Sequence, residues 1–252
     1  NIKYYLLIAC VILLGISQLE SPSERLEYVE NINSVKKYAI IALTRGYKDK
    51  SKYSDFIERC KSIKKQKWSH LYDNIVFHEG NINYDQQEWL RQETKLYLKF
   101  IDISSHFDKF KITVKEETIN NKCKWNGVSA YGYKAMCAFW FLYFMDYLQE
   151  YTAVLRIDED CKITGEIDDP NPGDDVKFAA TKIYGMDFPE VIDGMLNVFE
   201  EFGKKHHLKV NKTWESPYTN IMWVNIEFTD EPMVKLIQQM VKKTNCIERN
   251  RW

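Results

Sequence analysis

The stretch Tyr151-Thr152-Ala153-Val154-Leu155-Arg156-Ile157-Asp158-Glu159-Asp160 decides how this chain folds. Its apolar part has no polar alternation, the pattern of a strand buried on both faces of a parallel sheet. The run stops in three acids. Open α/β sheets place their ligand crevice outside the carboxyl ends of the strands, so these acids stand where a ligand is expected. Alternation along an extended strand predicts that Asp158 and Asp160 point the same way and Glu159 elsewhere.

Upstream, Ala39-Ile40-Ile41-Ala42-Leu43 runs into Thr44-Arg45-Gly46, again a buried strand ending in a loop at its carboxyl edge. Over residues 54–67, Phe56, Ile57, Cys60 and Ile63 recur at helical spacing among charges, which predicts an amphipathic helix. Residues 73–78 make a second short strand, and strand, helix, strand is a βαβ unit. A helix over 86–99 and a strand or sheet edge over 100–103 are expected next. Residues 131–148 are apolar nearly all round, so their helix must be buried on most sides. A turn-rich loop at 165–175, a helix over 189–205 begun by Pro189, a strand over 221–228 and a helix over 232–243 complete the reading. The expected fold is α/β, a mixed, mainly parallel sheet flanked by helices.

The 252 residues suffice for one sizeable core, and 35 basic against 36 acidic side chains give no field that favours nucleic acid. Residues 4–17 carry no charge and follow Lys3, which marks an anchor or a signal peptide. Length favours cleavage, whereas the lack of a clean small-x-small site favours an uncleaved anchor; a buried core helix is the third reading. We expect a signal anchor and polar stem over 1–34 and a catalytic domain over 35–252, the chain reading as a fragment at both ends. With Lys3 cytoplasmic, the domain is expected in the lumen of the Golgi or ER as a single-pass type II membrane protein. None of the six cysteines has zinc-ligand spacing, and Asn211-Lys212-Thr213 fits an N-glycosylation acceptor.

Transfer of a sugar from a nucleoside diphosphate must stabilise the departing diphosphate, commonly with a divalent cation bridging its oxygens. Mn²⁺ or Mg²⁺ takes oxygen ligands, one or two carboxylates with positions left open for phosphate, which suits Asp158 and Asp160. A D-x-D triplet is by itself common and usually a surface turn; its place at the end of a buried strand carries the reading. Thr44 and Arg45, in the loop after the first strand, are candidates for binding the nucleotide, Arg45 through its fork of donors. The plain alternative is a surface arginine. Glu227 can meet positive charge at the anomeric carbon, or simply pair with a lysine at a strand end. His206-His207 reads as a solvated helix end, and Phe139, Trp140 and Phe141 as core.

Gly132-Tyr133-Lys134-Ala135-Met136-Cys137-Ala138-Phe139, then Leu155-Arg156-Ile157-Asp158-Glu159-Asp160, Tyr184-Gly185, Trp223-Val224-Asn225-Ile226-Glu227 and Glu248-Arg249-Asn250-Arg251-Trp252 occur in this order. Together they resemble the fungal α-mannosyltransferases of glycosyltransferase family 15. The resemblance implies a GT-A nucleotide-diphosphosugar fold, GDP-mannose as donor, Mn²⁺ or a similar ion, a glycan or glycoprotein acceptor and retention of anomeric configuration. It puts Asp158 and Asp160 at the metal, Tyr133 near the active site, and Glu227 as nucleophile or oxocarbenium stabiliser. This chain departs from the family where Asp158 replaces Glu, Glu159 replaces Pro and Leu155 replaces Trp. The family's histidine metal ligand falls beyond Trp252. Two other readings stay open: a UDP-sugar transferase of the same fold, and a non-catalytic luminal module holding Ca²⁺ in the acidic loop 168–175.

Overall fold

The computed structural model describes residues 36–113, 131–173, 175–183, 195–210, 216–244 and 247. The expected signal anchor and stem over 1–34, Asn211, Tyr184, Gly185 and residues 248–252 lie outside them. No helix among the described residues is long and apolar enough to cross a membrane.

Six strands form one sheet: β1 (Tyr38–Thr44), β2 (Tyr72–His78), β3 (Leu98–Asp102), β4 (Ala153–Ile157), β5 (Phe178–Ile183) and β6 (Ser216–Asn225), in the order β3-β2-β1-β4-β6-β5. The first four run parallel, and β6 is antiparallel to both β4 and β5. Alternation along the buried strands explains why both faces are covered. Ile41, Ile75, Phe77 and Val154 enter one apolar cluster, while Ile40, Val76, Ala153 and Leu155 enter the other.

One face is covered by α1 (Ser54–Lys64) and α2 (Tyr84–Thr94), through Phe56, Cys60, Ile63 and Leu90. The start of α2 is a capping box: Asn83 accepts from the Gln86 N–H at 2.9 Å, and the Gln86 side chain accepts from the Asn83 N–H at 3.1 Å. Lys95, at φ 56°, then takes a left-handed conformation and ends the helix, so β3 begins at Leu98 rather than inside the longer helix expected.

The other face is covered by α3 (Ser104–Thr113), α4 (Tyr131–Ala138), α5 (Met195–Lys205) and α6 (Pro232–Thr244). Past α4 the chain does not continue as one α-helix. A π turn over Phe139–Tyr143 and a 3₁₀ turn over Phe144–Tyr147 follow, and Phe139, Trp140 and Phe144 are buried between Phe77 and the helices. Widening the helix lets consecutive aromatic rings face the core, which a 3.6-residue period does not allow. Burying each ring contributes roughly 2–3 kcal/mol.

Between β4 and β5 the chain lies on α1 as a strap without regular structure. The Ile163 N–H donates to Ser62 Oγ (3.0 Å) and the Ile167 N–H to Gln66 Oε1 (3.1 Å). Gln66 Nε2 and Trp68 Nε1 donate to the Gly165 and Ile167 carbonyls.

Candidate functional site

The parallel order reverses between β1 and β4. β1 connects through α1 to β2 on one side, whereas β4 lies on the other, so the crevice at this switch point opens at their carboxyl ends. The two strands pair only as far as Ile41 beside Arg156 and then part. Arg59 of α1, buried on the same face as Cys60, fills the fork. Its Nε donates to the Ile157 carbonyl at 2.9 Å and its Nη2 to the Ile41 carbonyl at 3.4 Å, replacing lost ladder bonds.

Residues from both strands line the fork. β1 delivers Thr44, Arg45, Gly46 and Tyr47, and β4 delivers Asp158, Glu159 and Asp160. β4 ends at Ile157, and the Cys161 N–H donates to the Asp158 carbonyl at 3.1 Å, so the acids form a turn. Strand alternation therefore does not set the direction of Asp160, contrary to the sequence expectation. Asp160 is exposed. Asp158 is fixed from beneath: Arg156 donates from Nε to Oδ1 at 2.7 Å and from Nη2 to Oδ2 at 3.1 Å. The Arg156 side chain is 1% exposed against 21% for Asp158, and its guanidinium lies 4.0 Å over the Trp140 ring. Its Nη1 has no hydrogen-bond partner among the described residues.

Glu159, the residue the sequence reading set aside, turns into the fork. Its carboxylate accepts from Thr44 Oγ1 and from Tyr47 Oη at 3.2 Å. Burial raises its pKa, and these two hydroxyls with the backbone N–H and charge of Arg45 oppose the rise. The Tyr47 phenol is pushed up to about 12, first by burial and then by Glu159 beside it. Gly46 packs on the next loop, where an added Cβ would lie 2.6 Å from the Asn81 carbonyl oxygen. Beside it, Glu79 is raised by burial against the charges of Arg45 and Lys111, and His78 is lowered by burial.

Thr44, Arg45, Asp158 and Asp160 are thus brought together at one edge. Glu227 is not. β6 runs antiparallel to β4 with Asn225 opposite Ala153 and Ile221 opposite Ile157, and Glu227 follows Asn225 in a 3₁₀ turn, exposed. The full height of β4, about 13 Å, separates it from the acid turn. The expected place of Glu227 beneath the anomeric carbon is corrected accordingly: its strand spans Ser216–Asn225 rather than 221–228 and delivers it to the opposite edge. Tyr133 lies in the first turn of α4, half-buried against the core and two turns before Trp140. In the acidic loop, Asp169 Oδ1 accepts from the Tyr72 hydroxyl and the Asn171 N–H.

Two hard carboxylates, one held from beneath and one open to water, with no further protein donor, match the sparse sets that Mg²⁺ and Mn²⁺ take beside phosphate and water. Among the described residues no three His, Cys, Asp or Glu side chains converge on one cation position. Sequence reasoning missed Glu159, Tyr47 and Arg156; only the position of Glu159 and Arg156 beside the acids was a signal.

No protein-family model and no curated protein matches the chain. Solved structures do. The Mn/GDP form of core-mannan synthase A from Aspergillus fumigatus superposes with a TM-score of 0.69 at 13% identity, over 92% of this chain and 68% of that one. The mannosyltransferase Ktr4p from S. cerevisiae in complex with GDP gives 0.62 at 16% identity, over 98% and 73%. Ktr4p in a second structure gives 0.63 at 17% identity, over 98% and 72%. With six strands, mostly parallel, flanked by helices, this chain has the α/β fold of these mannosyltransferases.

Proposed function

We propose that this chain is a metal-dependent glycosyltransferase that moves a hexose, mannose from GDP-mannose, to a glycan or glycoprotein acceptor with retention. One observation carries the reading: in this fold, two carboxylates after β4 and the arginine loop after β1 share the carboxyl edge of the sheet at its switch point. Asp158 and Asp160 are the residues to hold Mn²⁺ or Mg²⁺, which when bound would neutralise charge on the departing diphosphate. Arg156 holds the Asp158 carboxylate in one orientation, and Thr44 and Arg45 belong to the loop that meets the nucleotide. Tyr133 remains the candidate from the aromatic helix; Glu227 has no part at this edge. The solved structures of similar fold that carry GDP, one of them with Mn, support the choice of nucleotide and ion.

Titration calorimetry of the chain with GDP and with UDP, each with Mn²⁺, tests the reading. Saturable, Mn²⁺-dependent GDP binding is the expected result. Preference for UDP would change the donor, and Ca²⁺ binding without nucleotide affinity would remove the enzyme. The domain is proposed to sit in the Golgi or ER lumen on a signal anchor, so carbonate extraction should leave the protein in the membrane pellet; recovery in the medium would show cleavage.

A further inference from the structure

Glu159 occupies the middle position of the acid turn, between the two residues assigned to the metal, yet its bonds run to the opposite strand. Two donors from one short loop meet on its carboxylate: the Thr44 hydroxyl and the Tyr47 hydroxyl. The far end of the loop is held separately. The Tyr47 N–H donates to Tyr53 Oη at 2.8 Å, and Gln86 Nε2 donates to the Tyr47 carbonyl at 2.9 Å. The Arg45 side chain is exposed, on the loop that leaves β1 at the fork. A carboxylate that gathers two hydroxyl donors across a gap between diverging strands fixes a loop that β4 no longer pairs with.

We infer that Glu159 is a positioning residue for the donor nucleotide, which acts by fixing loop 44–47 so that Arg45 is presented to the diphosphate. The inference rests on the transferase reading. It assigns Glu159 neither to the metal nor to the sugar. A proline at this position, as in the family the sequence resembles, could accept none of these bonds, so this means of fixing the loop depends on the glutamate.

The experiment is a double-mutant cycle on GDP affinity at saturating Mn²⁺, with Arg45→Ala, Glu159→Ala and the pair, alongside Mn²⁺ binding without nucleotide. Loss of one charge-assisted contact to phosphate weakens GDP by about 10- to 100-fold in Arg45→Ala. Glu159→Ala should weaken it about 10-fold, and the double variant no more than about threefold beyond Arg45→Ala, because residues that act through one another are not additive. Mn²⁺ affinity without nucleotide should match wild type in Glu159→Ala; a purely structural role would not produce this pattern. Additive losses, a fall in Mn²⁺ affinity, or unchanged GDP affinity would each overturn the inference. If Glu159→Ala fails to fold, Tyr47→Phe keeps the ring against Tyr53 and removes one donor: about threefold weaker GDP is expected, and wild-type affinity refutes. Should wild type bind neither GDP nor UDP with Mn²⁺, the transferase reading falls first and this inference with it.

Discussion

Replacing Asp158 by Asn should destabilise the protein as well as weaken its metal site, and the two effects should separate. Arg156 is a guanidinium almost wholly removed from water, with the Trp140 ring on one side, a bidentate bond to Asp158 and an Nη1 without a partner among the described residues. Removing one partner of a fully buried pair costs about 3–5 kcal/mol. Here Asp158 is one-fifth exposed and Asn keeps one acceptor oxygen, so a loss of about 1–3 kcal/mol is expected. In a chain of this size that lowers the melting temperature by roughly 2–10 °C. Differential scanning fluorimetry of metal-free wild type, Asp158→Asn and the double variant Arg156→Met/Asp158→Asn measures it. In the double variant the cation is gone and a thioether packs on Trp140, so stability should recover in large part while Mn²⁺-dependent GDP binding stays weak. A metal-free Asp158→Asn protein that melts within about 1 °C of wild type would refute the view that Asp158 holds Arg156.

Gly46→Ala drives a methyl against the Asn81 backbone, so it should cost about 1–3 kcal/mol, and trimming the Asn81 side chain should not restore stability; denaturant unfolding reads both. Glu227→Gln should leave turnover and donor affinity within about twofold of wild type, since the residue lies on the other edge of the sheet; a large fall in kcat alone would reinstate it as a catalytic residue. His106 is half-buried, with Nε2 2.8 Å from the Ala135 carbonyl, and its pKa is lowered by partial burial. A base depressed in the folded state must be neutral to fit, so its contribution is complete above the ordinary histidine value near 6.5 and is lost as pH falls below it. Urea midpoints at pH 7 and pH 5 should therefore fall more in wild type than in His106→Gln, and equal falls would contradict this.

The first half of the sheet was legible because each strand is a short apolar run with a turn signal at its end. β1, β2 and β4 fall within a residue or two of the positions expected from 39–43, 73–78 and 151–157. α3 and β5 were not read. Neither has strong periodicity, since α3 shows the core mainly Phe107 and Phe110, and β5 lies at the sheet edge. The helix expected over 86–99 ran too far because nothing local marks Lys95 as a left-handed stop. At the site, the edge that Asp158, Asp160, Thr44 and Arg45 share followed from where the apolar runs stop. The place of Glu227 did not, because strand direction depends on which neighbour the strand pairs with, and a single sequence leaves that open. Glu159 departs from the expectation for a related reason: alternation holds only to Ile157, the end of β4, and a turn replaces the strand over the three acids that follow.

The strap laid along α1 and the turn after it gives this segment a second role. Ser62, Gln66 and Trp68 give the backbone of residues 163–167 the partners that a neighbouring strand would otherwise supply. A segment with no regular structure should therefore behave as protected chain. Its amide protons at Ile163 and Ile167 should exchange with solvent as slowly as those of a helix, and proteases should pass over it. Any change in the length or tilt of α1 would pull directly on the residues that follow Asp160. In engineered or natural variants the helix and the strap should be inherited as a unit, and a graft of either one alone would leave the acid turn without its downstream support.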